Sequence, residues 1–105
     1  MNIRINNQIL ANNLGDGWKD NNHAADILAE FTKKRYREII ENEYPGAEIN
    51  IEIDVAYNTG GCSRTTTACC TPPDYNTEEE IEMTLDGWGD DIWLEFCETH
   101  TNNLI

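Results

Sequence analysis

After Arg37 the chain has one basic residue, Arg64, in 68 positions. Sixteen Asp and Glu residues share that stretch, so it carries −15 against −13 for the whole chain of 105 residues. Such a field repels phosphates, which disfavours direct binding to nucleic acid. An anionic membrane surface is disfavoured for the same reason. No run approaches the roughly 18 apolar residues of a membrane span. The N-terminal Met1-Asn2-Ile3-Arg4-Ile5 alternates and builds no apolar signal centre. A cytoplasmic, reducing setting is therefore expected. Histidine is nearly missing, with only His23 and His100. No Ser-His-Asp or His-Glu-x-x-His arrangement occurs, and no phosphate-cradling glycine loop. These absences argue against an enzyme, and carboxylates are so many that no single pair marks an acid–base site.

What is present suffices for a fold. Hydrophobic residues make up 39% of the chain, with three Trp, four Tyr and two Phe. That content argues against disorder despite the charge. At this length one domain is expected, residues 1–105, burying about 60–70% of its unfolded surface in a single modest core.

Periodicity divides the chain. Ile3-Arg4-Ile5 begins an alternating run to about Leu10, read as a short strand. Positions 12–22 are polar, with Gly15 and Gly17, and read as a loop. Ala24, Ile27, Leu28, Phe31, Tyr36, Ile39 and Ile40 recur at helical spacing. They predict a helix from His23 to Glu43, capped by Asn22 and ended by Pro45-Gly46. From Glu48 to Val55 alternation is unbroken, with Ile49, Ile51 and Ile53 on one face and Glu48, Asn50, Glu52 and Asp54 on the other. Asn58 to Gly61 is a turn signal. Cys62 to Cys70 reads either as a return strand, given Thr65-Thr66-Thr67, or as an irregular loop. Glu80 to Leu85 and Ile92 to Cys97 alternate again, and Asp86 to Asp91 reads as the hairpin between them. A helix from Asp91 to His100 competes for the last segment.

The order is β-α-β-(β)-β-β. It predicts an α+β fold: an antiparallel sheet of four to five strands with one long helix on its apolar face. Leu28, Phe31 and Ile39 should pack on Ile51, Ile53, Met83 and Leu94. The outward strand residues would then form one acidic surface: Glu48, Glu52, Asp54, Glu78, Glu80, Glu82 and Glu95, with Asn50, Thr84 and Trp93 between. Like charges side by side weaken a sheet, so this surface is either a solvated face or a working one.

Four cysteines are the other chemical feature. Cys62, Cys69 or Cys70, and Cys97, with His100 three residues beyond, have the chemistry of a zinc site. Their spacing lacks the usual two close pairs. Buried free thiols, or a disulfide from the loop to the last strand, are the plain alternatives. On a strand Cys69 and Cys70 would face opposite sides. A catalytic thiol has no recognisable histidine partner. Asp16-Gly17-Trp18-Lys19-Asp20 echoes Asp86-Gly87-Trp88-Gly89-Asp90. Both read as turns, and neither has the ligand pattern of a calcium loop. Trp18 and Trp88 on such loops are candidate contact residues. Lys33, Lys34, Arg35 and Arg37 form the only basic cluster, within reach of Glu30 and Glu38 for pairs along the helix.

In size, single-domain build and acidity the chain resembles anti-CRISPR proteins and other phage-encoded nucleic-acid mimics. The resemblance implies an inhibitor in the host cytoplasm that uses no cofactor. Its partner would be a basic nucleic-acid-binding protein or complex whose groove Glu48, Glu52, Asp54, Glu78, Glu80, Glu82, Trp88 and Glu95 would occupy. A zinc or thiol module on Cys62, Cys69, Cys97 and His100 is the alternative function.

Overall fold

Asp20 starts the first helix. Its carboxylate accepts from the backbone N–H of Asn22 (3.0 Å) and His23 (3.3 Å), meeting two of the amides a helix start leaves unpaired. Asn22 was expected in that role. Its side chain instead exchanges hydrogen bonds with Asn58, 3.1 Å and 3.0 Å, and ties the helix start to the turn after the second strand. The computed structural model describes residues 1–62 and 64–100. They form β1 (Asn2–Leu10), a 3-10 turn (Ala11–Leu14), α1 (Asn21–Glu43), β2 (Glu48–Ala56), β3 (Thr67–Thr71) and α2 (Tyr75–Thr99).

The fold is α+β, but the sheet differs from the expected one. It has three strands in the order β2-β1-β3 and is mixed. β1 and β2 pair in parallel from Asn2↔Glu48 to Leu10↔Ala56. β3 returns antiparallel on the other side of β1, with Ile3↔Cys70 and Ile5↔Ala68. The parallel pair follows from the connection: α1 carries the chain back along the sheet, so β2 runs in the direction of β1.

The larger correction is α2. Glu80–Leu85, the presumed hairpin loop and Ile92–Cys97 are one helix of 25 residues. The rival helical reading of Asp91–His100 matches its C-terminal part. Ile81, Leu85, Ile92 and Phe96 are its buried residues, spaced at helical intervals. Met83 and Leu94, which completed the apparent alternation, are 69% and 59% exposed. Gly87 and Gly89 lie inside the helix, each costing about 0.5–1 kcal/mol relative to Ala. Burying four large side chains, at about 1.5–3 kcal/mol each, outweighs that cost.

Both helices cover the same sheet face. Ile3, Ile5, Ile49, Ile51, Ala68 and Cys70 point into a core with Tyr36 and Ile40 of α1 and Ile81, Leu85 and Ile92 of α2. A second cluster closes one end, where Phe96 meets Ala11, Leu14, Trp18, Ala24, Ala25 and Leu28. Ile51 is buried and Glu52 exposed, as the alternation required. Phe31, Ile39 and Ile53 are only partly buried, at the margins of these clusters.

α2 begins at Asp74, whose carboxylate accepts from the Thr77 amide at 3.1 Å. That hydrogen bond holds the Asp74 carboxyl below its ordinary value. A depressed carboxylate contributes stability above its unfolded value and loses it as the pH falls through the folded one. Asp74→Ala should therefore lower the melting temperature at neutral pH. The gap to the parent protein should close as the pH falls below the ordinary aspartate range and through the depressed folded value. Calorimetry across that range checks it, and an unchanged gap would show that the cap charge does not matter.

Candidate functional site

The acids expected on one sheet face divide between two surfaces. Glu48, Glu52 and Asp54 do stand on the open face of the sheet, away from both helices, and all three are exposed. Their register neighbours on β1 are Asn2, Asn6 and Gln8. The acids therefore sit beside neutral amides about 6.6 Å apart along the strand for successive same-face positions. Asp54 is ion-paired to Arg64.

Glu78, Glu80, Glu82, Trp88 and Glu95 belong to α2 and lie on no strand. Glu78 and Glu82, one helical turn apart, have a structural task. Glu78 Oε2 accepts from the backbone N–H of Cys70 at 2.7 Å, and Glu82 Oε1 accepts from that of Ala68 at 3.0 Å. Two carboxylates thus occupy the outward amides of β3, an edge that would otherwise be open. Glu95 lies 3.4 Å from Arg35, whose other nitrogen meets Glu38 at 2.7 Å. Of the five, Glu80 and Trp88 face solvent, Trp88 with 39% of its surface exposed.

Alternation concealed the rest of α2. Glu79, Asp86, Asp90, Asp91 and Glu98 are exposed as well. The helix carries nine acids and no base over its 25 residues. At 1.5 Å per residue it is about 37 Å long. Its nine acids therefore average about 4 Å apart along the axis, and the six exposed ones about 6 Å, wider than the 3.4 Å phosphate repeat along one DNA strand. The signal available in the sequence was the total lack of Lys and Arg from Tyr75 to Thr99, combined with the spacing of Ile81, Leu85, Ile92 and Phe96. Met83 and Leu94 add two exposed apolar side chains to this helix.

The cysteines do not converge. Cys62 is exposed in a loop, Cys69 is on the open sheet face, Cys70 is under the sheet and Cys97 lies half-buried on α2. Cys69 and Cys70 face opposite sides, as expected. All four are free thiols. Among the described residues no three His, Cys, Asp or Glu side chains are grouped to hold a metal. The zinc grouping of Cys62, Cys69 or Cys70, Cys97 and His100 is thereby overturned, because sheet, helix and loop hold its members apart. His100 instead stacks on Phe96 with ring centroids 4.4 Å apart. Desolvation raises the Cys70 thiol, with Glu78 adding to the effect, and desolvation also raises Cys97. A raised thiol is a poor nucleophile and a poor metal ligand.

The two Asp-Gly-Trp segments also part ways. Trp18 is buried, and its indole N–H donates to the Leu14 carbonyl at 3.0 Å. It packs on Phe96 and Trp93, with centroids 5.3 and 6.0 Å away. It is a core residue, which corrects its reading as a contact. Trp88 remains the exposed one.

Among the described residues no helix is long and apolar enough to cross a membrane. No family model, no curated protein and no solved structure matches the chain.

Proposed function

We propose that the chain is a protein-binding inhibitor, without enzymatic activity, that lays α2 along a basic groove where its partner normally holds nucleic acid. The observation that carries this reading is the helix itself: nine acids and no base along one rod. Six of those acids point to solvent, so the field is not consumed by internal pairs. Association is steered by long-range attraction and weakens with salt. Trp88, Met83 and Leu94 supply apolar contact within the acidic surface, the kind of anchor that salt does not loosen. The cytoplasmic setting expected from the sequence suits such a partner.

The test begins with capture of partners from a cell lysate at low and at high salt. Nucleic-acid-binding proteins should dominate the capture and be released by salt. The chain should then displace DNA or RNA from the captured protein. Replacing Glu79, Glu80 and Asp90 by Lys should slow association about tenfold or more, the usual range for loss of steering. The same reversal at Asp16 and Glu43, away from α2, should change it little. Binding indifferent both to salt and to the α2 reversal would refute the proposal.

A further inference from the structure

The two edges of the sheet are treated differently. The outward amides of β3 are occupied by Glu78 and Glu82. β2 is the other edge strand, and its pairing shows which of its groups point outward. The Glu48 N–H donates to the Met1 carbonyl, 2.9 Å, so Glu48 faces β1. In a parallel pair both backbone groups of one residue face the neighbouring strand, and those of the next residue face away. The register continues without a bulge to Leu10↔Ala56. Ile49, Ile51, Ile53 and Val55 therefore turn their N–H and C=O away from the sheet. Arg37 takes the Ile49 carbonyl at 3.2 Å. Ile51 is only 3% exposed and thus covered, but at Ile53 and Val55 nothing among the described residues takes the outward groups.

β2 also lacks the usual means of discouraging edge pairing. It is nine residues long and contains no Lys, no Pro and no bulge. Its only guard is charge. A second copy added edge to edge would set acids of the open face against like acids, which is destabilising. Of these acids Asp54 is already paired to Arg64, and Glu48 and Glu52 favour Lys and Arg on an added strand. On the helix side Ile53 and Val55 are half-buried and leave apolar surface for the alternate positions.

We infer that the outer edge of β2, centred on Ile53 and Val55, receives an extended protein segment in which Lys or Arg alternates with apolar residues, extending the sheet by one strand. Main-chain hydrogen bonds supply the affinity, and the acidic face and the Ile53–Val55 surface select the sequence. The inference shares with the proposed function only the basic character of the partner. It uses a different surface, with α2 on the opposite side of the sheet.

Amide hydrogen exchange with a synthetic peptide alternating lysine and valine is the test. In the free protein the amides of Ile53 and Val55 should exchange quickly and those of Glu52 and Asp54 slowly. The peptide should slow the first two by about tenfold or more. A peptide of the same composition with its lysines in one block should not. Ile53→Pro removes an outward N–H without touching the β1 ladder, a placement that edge strands tolerate. It should keep the native circular dichroism spectrum and lose the peptide's protection. Should the proline unfold the protein, N-methylation of alternate peptide residues makes the same test from the other side. Outward amides already protected in the free protein would overturn the inference, and so would equal protection by the blocked peptide or no protection at all. The lysine reversal on α2 separates the two readings. If it leaves lysate capture unchanged while the peptide still protects β2, the α2 reading falls and this one stands. If it abolishes capture while the peptide protects nothing, this one falls alone.

Discussion

Phe96→Ala is expected to cost about 3–5 kcal/mol in a urea melt. A domain of this size is stable by only about 5–15 kcal/mol in total, so the variant should lie near the edge of folding. Phe96 has none of its surface exposed. Its ring meets Trp18 at 5.3 Å, Phe31 at 5.8 Å, Trp93 at 6.1 Å and His100 at 4.4 Å between centroids. These partners come from both helices, the segment before α1 and the residue after α2, so removing the ring opens a void that no one element can fill. Phe96→Leu keeps most of the volume and should cost less than about 1.5 kcal/mol. Equal losses for Leu and Ala would mean that ring geometry, rather than filled space, holds this end together.

The second large effect separates two tryptophans in matching sequence surroundings. Trp18→Ala should cost about 3–5 kcal/mol, since it removes a buried ring and the donor to the Leu14 carbonyl. Trp88→Ala should cost clearly less than Trp18→Ala, because 39% of the Trp88 surface is exposed against 5% for Trp18. Combining Trp18→Ala with Phe96→Ala should cost less than the two single losses together, as expected of rings in contact. A Trp88 loss as large as that of Trp18 would show the α2 surface to be covered in the free protein.

The elements with one unbroken period were legible. α1 repeats its apolar positions over more than four turns, from Ala24 to Ile40, and stops before Pro45-Gly46. β2 alternates until Val55, and its acids stand on the face the alternation assigned. α2 was hidden by two coincidences. Ile81-Met83-Leu85 and Ile92-Leu94-Phe96 each fit period two, and Gly87-Trp88-Gly89 between them has the composition of a turn. Only the burial of Ile81, Leu85, Ile92 and Phe96 against the sheet and α1 decides for a helix, and that contact is tertiary. The same limit applies to Trp18, buried by α2 across some 75 positions of chain. Charge was easier to read than its location. The excess of acid was visible in composition, but its concentration on one rod depended on the missed helix. Glu78 and Glu82 were read as partner contacts, and nothing local in the sequence reveals that they bind the backbone of β3.

β1 is the middle strand of the sheet and is synthesised before both of its partners. Its partner on one side follows 46 positions later at every step of the register, from Asn2↔Glu48 to Leu10↔Ala56. Its other partner ends at Thr71. At synthesis rates of about 5–20 residues per second, Leu10 precedes Thr71 by about 3–12 seconds. Ile3, Ile5 and Ile9 wait with no strand beside them until β2 is complete at Ala56, and with one side still open until Thr71, while α1 can coil from local bonds alone. Slower elongation lengthens the period in which this apolar strand is available to chaperones or to another nascent copy. Yield in the cell should therefore depend on the pace of translation between Leu10 and Thr71.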